Sequence, residues 1–174
     1  LSAFYEDRKA VELSCFPAGE EQLLGSIYIG KVKNIVKNIE AAFIEIADGR
    51  LCYYSLLEKE APLYVKNKKG TKLAEGDELL VQVNREPVKT KAPTVTCSQN
   101  FPGKYLALTT GKKQLGLSAK LPPEEKERLR RIAEPFAAEE FGVVVRTNAA
   151  QAEADTLKEE FERLSQICRR VLTV

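Results

Sequence analysis

The sequence predicts an α+β chain, a small five-stranded β-barrel followed by a mixed α/β unit, and three observations predict it. Residues 25–55 hold short β-branched runs (Ile27, Ile29, Val32, Ile35 and Val36) and the alternating AAFIEIA, broken by an Asp48-Gly49 turn. LLVQVN and TVTC then repeat the strand signal before residue 98. Beyond residue 120, apolar residues fall instead at helical spacing on either side of one strand-like run, FGVVVRT. Twisted strands come first, and helices packed on strands follow.

Taken in order, residues 1–24 read as a strand (AFYE), a tight turn at Asp7-Arg8-Lys9, a second strand (AVEL) and a polar connection through Pro17, Gly19 and Glu20. Two strands alone are not stable, so this hairpin must pair with something. In the barrel region Gly30 supplies a bend or bulge. The pattern is interrupted by the loop APLYVKNKKGTKLAEGD, with Lys66, Lys68, Lys69 and Gly70 ahead of a Glu75-Gly76-Asp77 turn. LLVQVN resumes the barrel, Pro87 and Pro93 bracket a basic connection containing Lys89 and Lys91, and a strand at TVTC closes it. KYLALT and QLGLS are short strands joined at Gly111-Lys112-Lys113. Pro122 and Pro123 with Glu124 and Glu125 open a helix whose apolar side is Leu129, Ile132 and Ala133, since proline and acids both suit a first turn. FGVVVRT is a buried strand, and residues 151–172 form one amphipathic helix with Leu157, Phe161, Leu164, either Ile167 or Cys168, and Val171 inward.

Composition limits the function. A hydrophobic fraction of 44% with 30% charged residues is that of a globular chain, not a disordered one. A net charge of only +2 excludes a strongly basic duplex-coating protein, so any nucleic-acid site is a local patch with salt-sensitive affinity. Cys15, Cys52, Cys97 and Cys168 are scattered singly and there is no histidine, which argues against a metal site and for reduced thiols in a cytoplasm. No apolar run approaches the roughly 20 residues of a membrane span, and no signal peptide is evident. The missing initiator methionine implies a chain that was trimmed or starts inside a larger one. Asp48, Asp77 and Asp155 fall in turns and at a helix start, without the pairing a metal needs, and read as surface residues.

Two constellations carry chemistry. Phe43 and Tyr53 lie on neighbouring strands, where an aromatic face stacks on unpaired bases of any sequence; alternatively both are barrel core, the ordinary place for phenylalanine. Lys91, in KTKAPTVT, would neutralise a phosphate beside them, or is solvated loop charge. Arg146-Thr147, at the end of a strand, offers a guanidinium fork and a hydroxyl to a terminal phosphate, or is an ordinary capping pair.

GSIYIGKV (25–32) followed by IEAAFIEI (39–46) resembles the OB-fold RNA-binding domain of the bacterial ribonuclease E/G family. GDELLVQVNREPVKTK, PGKYLAL, QLGLSAK and FGVVVRT follow in that family's order and spacing, so the resemblance covers almost the whole chain. It implies an N-terminal hairpin (1–24) belonging to a ribonuclease-H-like sheet, an OB barrel (25–97) and a 5′-sensor-like α/β subdomain (98–174). Phe43 and Tyr53 match the family's base-stacking phenylalanines, and Lys91 its RNA-contacting lysine, with Ala92-Pro93 in place of the usual glycine-containing sequence. Gly103, Ala107, Arg146 and Thr147 match its 5′-monophosphate sensor, Ala107 standing for valine, while Ser118-Ala119-Lys120 replaces a Ser-Arg-Arg sequence.

The resemblance further implies a cytoplasmic endoribonuclease of RNA processing and decay acting on single-stranded RNA. Its magnesium is held by two aspartates of a downstream catalytic domain, and its subunits are linked through a zinc-binding cysteine motif. Neither region is in these 174 residues, so the chain is expected to bind RNA without cutting it, to hold no cofactor of its own and to leave oligomeric state to other regions. A stand-alone RNA-binding or adaptor protein is the competing expectation. A purely structural module is the weaker third, because the basic and aromatic features coincide.

Overall fold

The computed structural model describes residues 2–6, 9–14, 23–66, 72–87, 91–137 and 140–173, the first two segments as backbone only. Strands β1 (Ser2–Glu6) and β2 (Lys9–Ser14) form an antiparallel two-stranded sheet. The expected turn at residues 7–8, the polar connection at 15–22, and Lys68, Lys69, Gly70 and Lys89 lie outside the described residues.

The barrel is built from β3 (Ile27–Val36), β4 (Ala41–Glu45), β5 (Leu51–Ser55), β6 (Glu78–Arg85) and β7 (Thr94–Thr96). It closes in the order β3-β4-β5-β7-β6, antiparallel except for the β5–β7 pair, which is the arrangement of an OB-type barrel. Strand alternation sends Ala42, Ile44, Cys52, Tyr54, Leu79, Val81, Val83 and Val95 into one core. β6 is buried from Leu79 to Val83, and at Leu80 its outer edge is taken: the Leu80 N–H donates to the Leu63 carbonyl at 2.8 Å, and the buried Gln99 side chain donates to the Leu80 carbonyl at 2.9 Å.

Gly30 makes no bulge. Its pairing with Leu79 is in register, and the β3 irregularity falls at Lys33, between Val32 and Asn34. What Gly30 provides is space: a Cβ there would lie 2.4 Å from Ile44 Cγ2 and 3.2 Å from Val81 Cγ2. The glycine lets two core methyls approach the backbone.

The second unit has β8 (Asn100–Pro102), β9 (Leu106–Thr109), β10 (Leu115–Leu117), α1 (Pro123–Ala137), β11 (Gly142–Val145) and α2 (Ala154–Leu172). Its sheet runs β10-β11-β9-β8, with only β10–β11 parallel. Leu106, Leu108, Val143 and Val145 meet Leu129 and Ala133 of α1 and Leu157, Phe161, Leu164 and Cys168 of α2 in a second core. Phe136 and Phe161 stack at 4.6 Å between the helices. On α2 the inward position is Cys168, and Ile167 is exposed. The helix begins at Ala154, not at residue 151, because Thr147–Gln151 winds as a 3-10 helix first. β8 has no counterpart in the sequence reading.

Two buried glutamines join the units. Gln82 of β6 donates to the carbonyls of Gly25 at 2.9 Å and Asn100 at 3.0 Å and accepts the Asn100 N–H at 2.7 Å. Gln99, besides its bond to Leu80, exchanges two hydrogen bonds with the Thr110 hydroxyl at 2.9 and 3.1 Å. Both side chains therefore place their amides where a buried polar group is satisfied, and the units meet through hydrogen bonds rather than a slack linker.

Candidate nucleic-acid interface

Phe43 and Tyr53 stand opposite each other in the β4–β5 ladder. Their neighbours Ala42, Ile44, Cys52 and Tyr54 face the core, so the pleat turns Phe43 and Tyr53 to the outer face, where both are half-buried. The rings meet edge-on, with centroids 6.4 Å apart and planes at 83°, an arrangement the ring quadrupoles favour. Neither belongs to the barrel core, which decides between the two placements the sequence left open.

Strands on both flanks bring lysines. On one side β7 enters against Tyr53, whose N–H donates to the Pro93 carbonyl at 2.8 Å, and exposed Lys91 lies two residues before that proline. On the other, Lys33 sits in the β3 bulge and pairs with Glu45 at 3.0 Å, a contact between partly exposed groups that contributes little to stability. The aromatic pair thus lies on β4 and β5, with Lys33 on neighbouring β3 and Lys91 in the segment leading into β7.

Arg146 follows β11 directly. Its main-chain N–H donates to the Tyr105 carbonyl at 2.8 Å, and its Nη1 donates to the Gly103 carbonyl. No other protein acceptor meets the guanidinium among the described residues, so its remaining donors face solvent. Thr147 opens the 3-10 helix with its hydroxyl 3.0 Å from that of Ser118. Ser118 is delivered there by the β10–β11 pairing, its N–H donating to the Val145 carbonyl at 2.9 Å. Ala107 is buried in β9 opposite Pro102 and Val144, and its methyl carries no hydrogen-bonding group.

The structure therefore joins Gly103 to Arg146 and Thr147 to Ser118, and it keeps this group in the second unit while Phe43, Tyr53 and Lys91 belong to the barrel. The sequence reading had Ser118 only as part of a motif and missed Glu160 altogether. Glu160 is 8% exposed on the inner face of α2 and accepts the N–H groups of Lys104, Tyr105 and Leu106. A signal existed: an acid one residue before Phe161, inside a helical stripe of Leu157, Phe161 and Leu164, is out of place unless something pairs with it.

Other polar chemistry is sparse. Burial pushes the Cys52 thiol up to about 11 against a smaller opposing pull from Arg50, raises Cys97, and takes Cys168 to about 12, so these free thiols are packing groups and not nucleophiles. Asp77 closes its own turn by accepting the Ala74 N–H at 2.7 Å, and Asp155 is exposed in the first turn of α2. Among the described residues no three His, Cys, Asp or Glu side chains group to hold a metal, and no helix is long and apolar enough to cross a membrane.

Residues 100–173 match the sequence profile of the ribonuclease E/G family. The chain is 32% identical over 149 residues to ribonuclease E of Synechocystis sp., a match covering 83% of this chain and 22% of that protein. It is 31% identical over 170 residues to ribonuclease E of Nostoc sp., covering 95% and 24%. To ribonuclease G of Haemophilus influenzae it is 27% identical over 161 residues, covering 86% and 33%. The chain thus spans between about a fifth and a third of the length of the curated relatives it matches.

Proposed function

The chain belongs to the ribonuclease E/G family, and from that premise we propose that it holds single-stranded RNA on the outer face of its barrel and reads a 5′-monophosphate at Arg146 and Thr147. In this reading it serves an endoribonuclease of cytoplasmic RNA processing and decay as the part that binds and orients substrate. The observation that carries the reading is the outward, half-buried Phe43–Tyr53 pair, with exposed Lys91 in the segment that leads into the adjoining strand. Unpaired bases present faces that such rings stack on, and the backbone phosphate beside a stacked base meets the ammonium. A duplex hides those faces.

At the second site the guanidinium is tethered at one donor and open at the others, and the following residue, Thr147, carries a hydroxyl. A terminal phosphate supplies acceptors for both, and the planar fork suits it better than a point charge does. The cleavage chemistry and its magnesium are proposed to lie outside these 174 residues; among the described residues no three His, Cys, Asp or Glu side chains group to hold the ion.

The test is fluorescence anisotropy at fixed salt with a single strand and a duplex of equal length. The single strand is expected to bind more tightly, and Phe43→Ala with Tyr53→Ala to weaken it by a few kcal/mol at most, from about 1–3 kcal/mol per stacked base. Equal affinity for the two RNAs, or a folded double variant that binds normally, refutes the stacking surface.

A further inference from the structure

We propose that Glu160 is a positioning residue for the phosphate-reading arginine, acting through the two peptide planes that hold Arg146. The proposal rests on the reading of Arg146 given above. Glu160 projects from α2 into the interior between Leu157, Phe161 and Leu164, where a carboxylate is costly unless it is fully hydrogen-bonded. It is compensated by three consecutive main-chain donors: Lys104 N–H at 2.8 Å, Tyr105 N–H at 2.8 Å and Leu106 N–H at 2.7 Å. Arg163, one turn along α2, adds a looser contact at 3.5 Å. Successive N–H groups converging on one point make an anion-binding concavity, and here the chain fills it with its own anion.

The geometry of the peptide group carries the rest. The N–H of Lys104 and the C=O of Gly103 belong to one rigid trans unit and point in opposite directions; so do the N–H of Leu106 and the C=O of Tyr105. In both units Glu160 holds the N–H end, and in both the C=O end accepts from Arg146, the Gly103 carbonyl from Nη1 and the Tyr105 carbonyl from the main-chain N–H. The carboxylate and the arginine thus grip the same two planes from opposite sides. Gly103 has no room for a side chain because of this: a Cβ would lie 2.7 to 3.0 Å from the Glu160 carboxyl atoms. Turning either plane would swing a carbonyl off the arginine and let the fork lose the aim that makes it selective.

The test compares 5′-monophosphate and 5′-hydroxyl forms of one single strand, for the 174-residue protein and its Arg146→Ala, Glu160→Gln and Glu160→Asp variants. Glu160→Gln keeps the shape but offers one acceptor atom and an NH₂ to three donors. It is expected to cut the phosphate preference about fivefold or more while leaving affinity for the 5′-hydroxyl strand unchanged, with Glu160→Asp restoring part of it. If the unaltered protein prefers the phosphate, Arg146→Ala abolishes that preference and folded Glu160→Gln keeps it, the positioning role is wrong. Should Glu160→Gln not fold, Glu160→Asp decides alone: it moves the carboxylate and must reduce the preference, and an unchanged ratio overturns the proposal.

An RNA-free readout separates this from the phosphate reading. In NMR spectra of the unliganded protein, Glu160→Gln (or →Asp) is expected to shift the Arg146 side-chain N–H signal toward that of free arginine and to speed exchange of the Lys104 to Leu106 amides. If the unaltered protein shows no phosphate preference, the reading of Arg146 fails, and these signals still judge whether Glu160 positions it: unmoved, they refute the role.

Discussion

Gly30→Ala places one methyl group where the barrel has no room. The added carbon would lie 2.4 Å from Ile44 Cγ2 and 3.2 Å from Val81 Cγ2, against the roughly 3.5–4.0 Å at which carbons rest. Ile44 and Val81 are fully buried and β-branched, so neither can rotate away into solvent, and each has few alternative rotamers. Overpacking of this kind costs about 1–3 kcal/mol, and a contact more than 1 Å too short belongs at the upper end. Alanine also stiffens the unfolded chain, which returns about 0.4–1 kcal/mol, leaving a net loss of about 2 kcal/mol. For a domain pair of this size that lowers Tm by roughly 4–8 °C, measurable by circular dichroism, with a matching fall in the urea midpoint. The clashing atom suggests its own remedy: leucine lacks Cγ2, so Ile44→Leu, which alone costs less than about 1.5 kcal/mol, should raise the stability of Gly30→Ala. Unfolding of Gly30→Ala within about 1 °C of the parent, or an Ile44→Leu change that merely adds its own cost, would refute the view that this glycine is there for space.

At the proposed phosphate site, Arg146→Lys keeps the charge but loses the fork, and is expected to remove most of the preference for a 5′-monophosphate. Well-formed charged hydrogen bonds contribute about 1.5–3 kcal/mol and less when water shares them, so paired titrations of the two RNA ends at one salt concentration resolve the change; a lysine variant with undiminished preference contradicts the two-point contact. The buried thiols give a pH signature. Because the folded Cys52 and Cys168 thiols titrate near 11 and 12, above the ordinary 9.0, the stability tied to their protonated forms is intact below about pH 9 and is lost as pH rises through 11 to 12. Urea midpoints measured from pH 8 to 11.5 should fall less steeply when both are changed to alanine, and iodoacetamide at pH 8 should leave Cys52, Cys97 and Cys168 unmodified in peptide maps of the folded protein.

The barrel strands were legible because a half-covered sheet writes its period of two into the chain, as AAFIEI does, and because β-branched runs such as LLVQVN mark a more deeply buried strand. The same alternation also held the answer for Phe43, since Ala42 and Ile44 cannot face the core unless Phe43 faces away. Gly30 was misassigned because a glycine in a β run signals either a bulge or a close approach, and only the position of Ile44 Cγ2 distinguishes them. β8 was invisible: three residues ending in Pro102 carry no pattern, and they pair because β9 supplies the partner. On α2, a repeat through Leu157, Phe161 and Leu164 reaches Cys168 rather than Ile167 at 3.6 residues per turn, while the start of the helix was blurred by a 3-10 turn that uses the same alanine-rich composition. The pairing of Arg146 with Gly103 spans 43 positions and was accessible only through resemblance, because nothing local in either segment encodes it.

On the proposed reading, the side chains of Gln82 and Gln99, which tie β6 to Asn100 and Thr110, would make the molecule a ruler. With the seam held by these bonds, the gap between the ring pair on the barrel and the guanidinium on the neighbouring sheet would vary little. An oligonucleotide bridging both must reach a threshold length, below which it can occupy one station or the other but never both. Tightness should then climb in a step with nucleotide count, since the second contact becomes intramolecular only when the strand can span the gap. Cutting either glutamine to alanine would loosen the seam and blur that step.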